Sequence, residues 1–171
     1  MSWTVLMIIG IIAYAISGAL VAIEADYSFV GVFVLGLVTS FGGAIIRNVL
    51  IEVPVSEIWE SRTIVIVCVT LTIIVFLPKK WTKHWREWGY FVDSIGLATF
   101  ALQGALAVQG VTDNIGLMML AAMFTGLGGG MIRDVLAGNK PLALKEEIHA
   151  VLTMICAFYV WMDWTSPLQL T

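Results

Sequence analysis

Gly126-Leu127-Gly128-Gly129-Gly130-Met131-Ile132-Arg133-Asp134-Val135-Leu136 closes a long apolar stretch of the chain. A second version of it, Gly42-Gly43-Ala44-Ile45-Ile46-Arg47-Asn48-Val49-Leu50, stands 86 residues earlier. At the same offset and without a gap, Thr39 falls on Thr125, and Ala15-x-x-Gly18-Ala19-Leu20 falls on Ala101-x-x-Gly104-Ala105-Leu106. Apolar helices share scattered Ala and Leu by chance, but not a Gly-Gly-x-x-Ile-Arg-x-Val-Leu phrase held in register. The chain is therefore an internal duplication, the kind of signal to read before any local pattern.

Each copy carries three apolar stretches. Uncharged segments run 5–23, 27–46, 63–77, 94–112, 114–132 and 150–162. A helix of about 20 apolar residues crosses a bilayer core, so four are long enough as they stand. Adding 58–62 and 144–149 completes the third and sixth with polar first turns. With 171 residues, 60% of them hydrophobic, 12% charged and a mean hydropathy of +0.95, the chain lacks the charge to coat a soluble domain. Tryptophans 3, 59, 81, 85, 88, 161 and 164 stand at the ends of the stretches, where indole rings favour the headgroup zone. An odd number of spans per copy forces the second copy to enter from the opposite face. The fold class is an all-α integral membrane protein of two inverted three-helix repeats, six spans in all. The first repeat covers 1–78, a basic linker 79–90, the second repeat 91–164 and a tail 165–171.

Orientation follows from Lys79, Lys80, Lys83, Arg86, Lys140 and Lys145, which fall in the odd-numbered loops, with Arg133 close by. The even loops and the termini hold Arg47 and Arg62. The positive-inside rule places the odd loops, including the basic loop 79–86, in the cytoplasm and the N terminus outside, in a multi-pass protein of the cell (inner) membrane. No cationic n-region precedes Val5, so the first stretch reads as a retained span. The net charge of −3 offers no patch for nucleic acid. Cys68 and Cys156 lie inside apolar stretches and read as small buried hydrophobes. An enzyme is a poor fit. His84 and His149 belong to no nucleophile–base or zinc pattern, and Gly128-Gly129-Gly130 lacks the Lys-Ser/Thr of a phosphate loop. No metal or cofactor is expected beyond a permeant K+ or Na+, with lipid as a candidate ligand.

The unusual chemistry sits in spans two and five. Glycine weakens a helix by roughly 1 kcal/mol per residue relative to Ala, so Gly42, Gly43, Gly128, Gly129 and Gly130 predict a kink or an unwound stretch in each repeat. Freed carbonyls there can replace part of a cation's hydration shell. The competing reading is close packing of small residues between helices. Arg47 lies about 30 Å along a regular helix from Tyr27, near one boundary, and Arg133 near the other. Either arginine snorkels to headgroups or stands at a vestibule mouth, neutralised by a partner. Asp134 adjoins Arg133, but consecutive helix residues do not face each other, which leaves that partner open. Asp93, where the first repeat has Met7, is a helix-dipole acid or a cation-attracting group at the cytoplasmic entrance. Ser17 with Gln103, Thr39 with Thr125, and Ser40 are polar positions that satisfy broken backbone or touch a permeating ion.

The pattern Gly-Gly-Gly-x-x-Arg-Asp-x-Leu-x-Gly-x-x-Pro from Gly128 to Pro141, its echo at Gly42–Leu50, and Asp93-x-x-Gly96-Leu97-Ala98-x-Phe100-Ala101 resemble the prokaryotic TRIC (trimeric intracellular cation) channels. That family is also filed as an uncharacterised or glycine-transporter-domain family, and the resemblance spans essentially the whole chain. It implies a homotrimer with a potassium-permeable pore in each protomer, lined by kinked second and fifth helices, with Arg47 and Arg133 beside the kinks. Two departures stand out. Ala44 and Asn48 occupy the places of Gly130 and Asp134, so the pore halves are not equivalent. Only 165–171 follow the sixth span, where the family carries a seventh helix. The leading expectation is a passive monovalent-cation channel. The alternatives are a secondary transporter of a small amino acid such as glycine, and a membrane scaffold whose glycines only pack.

Overall fold

A computed structural model describes residues 3–77 and 85–162, and every regular element in them is helical. The basic loop with Lys79, Lys80 and Lys83 and the tail 165–171 lie outside the described residues. The order is α1 (Trp3–Glu24), α2 (Phe29–Leu50), a 3-10 turn (Val55–Ile58), α3 (Ser61–Phe76), α4 (Trp85–Gln109), α5 (Ile115–Leu136), the single turn α6 (Leu142–Lys145) and α7 (Glu147–Trp161). Helix α4 begins at Trp85, inside the stretch expected as linker. Helices α1, α2, α4 and α5 are long and apolar enough to cross a membrane, while α3 and α7 are shorter apolar helices.

The two copies build the same unit from the same local devices. Ser28 Oγ accepts from Gly31 N (3.3 Å) at the start of α2, and its repeat mate Asn114 caps α5 by accepting from Leu117 N (3.2 Å). Both helices end alike. Val53 N bonds Asn48 O (3.0 Å) and Asn139 N bonds Asp134 O (2.8 Å), each closing over a left-handed residue, Glu52 (φ 57°) and Gly138 (φ 74°). Within each copy three helices pack together, α1–α2–α3 and α4–α5–α7, and the copies join through α2 against α5 and α1 against α4.

The contacts themselves show the pseudo-two-fold. A Cβ added to Gly43 would strike the Thr125 carbonyl oxygen, and one added to Gly129 would strike the Thr39 carbonyl oxygen. A Cβ added to Gly42 would meet the Ile132 δ1 methyl at 2.9 Å, and one added to Gly128 would meet the Ile46 δ1 methyl at the same distance. Each pair becomes the other when 86 is added to one member and subtracted from the other. Residue numbers also run in opposite senses along α2 and α5, which makes the crossing antiparallel. The Tyr14 and Phe100 rings, themselves repeat mates, stack at 5.0 Å across the same axis.

Small residues at the crossing let the backbones approach, the packing that apolar solvent rewards when hydrophobic burial cannot separate helix from lipid. Around it Tyr14, Leu35, Val67 and Leu71 are wholly buried. Outward faces are apolar instead of charged: Val65, Val69, Ile73 and Phe76 on α3, and Ile148, Val151 and Ile155 on α7, are all more than half exposed. That is the surface of a chain solvated by lipid.

Candidate functional site

The glycine tracts do not unwind. Helix α2 is continuous from Phe29 to Leu50 and α5 from Ile115 to Leu136. The expected unwound stretch gives way to close packing, because the intrinsic penalty of glycine is small beside the contacts that only glycine permits at Gly43 and Gly129. The two repeat-mated threonines donate their hydroxyl protons within their own helices. Thr39 Oγ1 donates to Leu35 O and Thr125 Oγ1 to Ala121 O, both at 2.6 Å. Gly42, Gly43, Gly128 and Gly129 together form a waist, whereas a Cβ added to Gly130 would meet only the tip of Arg133, at 3.7 Å.

Two cavities enter from opposite ends of this waist. The first, about 390 Å³, is lined by Ser17, Glu24, Asp93, Arg133, Asp134 and Lys140 among others. The second, about 350 Å³, is lined by Met7, Ser40, Arg47, Asn48, Glu60 and Gln103 among others. The lining follows the repeat: Ser17 matches Gln103, Asp93 matches Met7, Arg133 matches Arg47 and Asp134 matches Asn48. A small space lined by Tyr14, Leu97, Leu127 and Gly130 shares Asp93, Arg133 and Asp134 with the first cavity. Phe100, Tyr14's stacking partner, lines the second cavity, so the aromatic pair stands between them.

The first cavity holds a buried ion cluster. The Arg133 guanidinium donates to Asp93 Oδ1 and to Ser17 Oγ, and its Nε donates to Asp134 Oδ1 at 2.8 Å. Ser17 Oγ donates in turn to Asp93 Oδ1 (2.9 Å), and Leu142 N donates to Asp134 Oδ2 (2.9 Å). The expectation that adjacent helix residues do not pair fails here, since a long guanidinium side chain folds back over its own turn. Two carboxylates on one guanidinium leave the cluster with a formal charge of −1. Charge-assisted bonds of this kind are about twice as strong as neutral ones.

The second cavity keeps the geometry and has neutral residues, Met7 and Asn48, in place of the two clustered acids. Arg47 Nε (3.0 Å) and Nη2 (2.8 Å) both donate to Asn48 Oδ1, whose amide donates to Pro54 O at 3.2 Å. Among the described residues no carboxylate lies within ion-pair distance of Arg47, which corrects the expectation that both arginines are neutralised. Gln103 lines this cavity at 7% exposure, and its amide nitrogen has no hydrogen-bond partner among the described residues.

Sequence reading missed Tyr14. Its hydroxyl donates to Gly126 O across the helix interface, tying α1 to α5 just before the second glycine tract. A tyrosine in the middle of an apolar span was the available signal, because a buried hydroxyl needs a partner. Met7 and Asn48 were read as the mates of Asp93 and Asp134, whereas the pairing of Phe100 with Tyr14 was not.

Antiparallel three-helix copies, lipid-facing outer surfaces and polar cavities at both ends of one waist define an inverted-repeat membrane protein. The chain belongs to the family described as Glycine transporter, which matches residues 4–79 and 90–164. It is 49% identical to the UPF0126 membrane protein YvgT of Bacillus subtilis, over 96% of this chain and 82% of that protein. It is 34% identical to the UPF0126 inner membrane protein YadS of Escherichia coli K12, over 86% and 72% respectively. Among solved structures, a prokaryotic TRIC channel crystallised in 0.5 M KCl superposes with a TM-score of 0.83 at 32% identity, over 96% of this chain and 84% of that one. The TRIC trimeric intracellular cation channel orthologue from Rhodobacter sphaeroides superposes at 0.81 with 26% identity, over 94% and 84%.

Proposed function

We propose that the chain is a monovalent-cation channel, conducting potassium through each protomer of a homotrimer in the inner membrane. The observation that carries this reading is the pair of polar cavities facing each other across the Tyr14–Phe100 stack. Likeness to the TRIC cation channels over nearly the whole chain supports it. The Asp93–Arg133–Asp134 cluster, with more acid than base, draws cations into the first cavity and holds anions off. Glu24 adds to that field, while Lys140 and Lys145 line the outer part of the same cavity. The stack and the glycine crossing form the closed waist, and conduction needs α2 and α5 to part there.

The expected topology is retained within this reading, with the basic loop 79–86 in the cytoplasm, the N terminus outside and membrane lipids around the trimer. The bond from Tyr27 Oη to Leu136 O (2.6 Å) supports it by bringing the first and fifth loops to one side.

Recording from purified protein in a planar bilayer tests the proposal. Discrete current steps that reverse near the potassium equilibrium potential under a potassium gradient are expected. Saturable uptake of solute without unitary steps would overturn the channel reading in favour of a carrier.

A further inference from the structure

The first cavity shows what the second one lacks. There, the Asp93 carboxylate accepts from both the Arg133 guanidinium and Ser17. In the second cavity the mates of those two donors are Arg47 and Gln103, and the mate of Asp93 is Met7. The donors have thus been kept and strengthened, since a serine hydroxyl became an amide with two N–H groups. The carboxylate that would receive them has become a thioether. Arg47 is left with a neutral oxygen from Asn48, and the Gln103 amide nitrogen is buried with no partner. A donor buried without a partner among the described residues is costly in a lipid-solvated protein, and Arg47, on the lining of the same cavity, has no acid to pair with there.

We propose that the second cavity is a binding site for a small carboxylate, held by Arg47 as Asp93 is held by Arg133, with the Gln103 amide turning from its shielded position to add the second donor. A carboxylate matches the planar fork of a guanidinium and takes a further amide donor on its outer lone pair. Met7, Phe41 and Phe100 supply an apolar wall for a short alkyl group. Glu60 also lines the cavity, with its side chain 56% exposed and Arg62 Nε 4.0 Å away, and so stands toward the mouth. Two ligand sources share this chemistry: a free monocarboxylate, and an α-amino acid whose ammonium reaches Glu60. The site does not depend on the channel reading, because it is detected by binding and not by flux.

Saturation-transfer NMR on the protein in lipid nanodiscs, with acetate as probe, tests the site. Wild type is expected to give a saturable acetate methyl signal, and Arg47→Gln and Gln103→Leu are expected to lose it. Met7→Asp is the decisive variant. It returns the tethered acid of the first repeat, so acetate affinity should fall about tenfold or more, which is about 1.4 kcal/mol, while the thermal midpoint stays at or above that of wild type. A purely structural Arg47 would give no such exclusion. Glycine as competitor separates the sources: displacement of acetate assigns the site to amino acids, and its failure assigns it to monocarboxylates. No saturable acetate signal in wild type, or Met7→Asp binding acetate as wild type does, would overturn the proposal.

Discussion

Arg133 and Asp93, 40 residues apart on α5 and α4, meet in an ion pair whose side chains are 6% and 14% exposed. The pair joins the second repeat to itself and, through Ser17, to α1 of the first. Arg133 keeps Asp134 when Asp93 is removed, so Asp93→Ala is expected to destabilise by about 1–3 kcal/mol through the charge-assisted bonds lost to Arg133 and Ser17. Asp93→Asn keeps an acceptor and should cost less. Thermal unfolding in detergent checks both, and equal midpoints for wild type and Asp93→Ala would show that the pair contributes nothing. In the channel, Asp93→Asn should also lower the preference for potassium over chloride, read from reversal potentials in a salt gradient.

The five tract glycines are not equivalent. Gly43 and Gly129 face opposing carbonyls that belong to rigid helix backbone, so Ala at either position is expected to cost about 1–3 kcal/mol as overpacking. A Cβ at Gly130 would make only ordinary contact with the Arg133 tip, and its mate is already Ala44. Gly130→Ala should be neutral or stabilising, by up to about 1 kcal/mol from helix propensity. Midpoints in the opposite order would mean that the tracts act by flexing and not by packing.

Tyr14→Phe removes the hydroxyl bonded to the Gly126 carbonyl and leaves the stack on Phe100 in place. A loss of about 1–3 kcal/mol is expected from the unsatisfied carbonyl. Tyr14→Ala should in addition unplug the waist, raising open probability in bilayer recordings. Unchanged gating in that variant would move the constriction elsewhere.

Glu52 adopts the left-handed conformation that its mate Gly138 adopts without a Cβ. Glu52→Gly is expected to stabilise by about 1 kcal/mol, and Gly138→Ala to destabilise by a similar amount. Paired thermal unfolding curves of the two variants measure the sign of each.

Segmentation, duplication and inversion were legible because they rest on long, redundant patterns. Four apolar stretches became four long helices, and a constant offset across Ala15–Leu20, Thr39 and Gly42–Leu50 left one topology for an odd number of spans. The role of the glycines was not legible. Gly128-Gly129-Gly130 satisfies a broken helix and a tight crossing equally well, and only the position of Thr39 on the facing helix decides between them. The Arg133 partners were hidden for a related reason. A rule about Cβ directions holds for short side chains, but a guanidinium reaches around its own helix to Asp134 and across to Asp93. The orphaned Gln103 could not be seen at all without its surroundings, although its pairing with Ser17 was.

Two copies of one unit, facing opposite ways, would make a conduit with no preferred direction of travel. Substitution at two mated pairs, Met7 against Asp93 and Asn48 against Asp134, removes that indifference. The inner cluster at one mouth carries a formal −1 and the guanidinium at the other a formal +1, each offset by outer lining charges, Glu24, Lys140 and Lys145 at the first and Glu60 at the second. A cation crossing such a profile climbs from one end and descends from the other, so inward and outward currents at equal and opposite voltages should differ in size. Rectification in this molecule would then be written into four side chains, with the backbone itself remaining blind to direction.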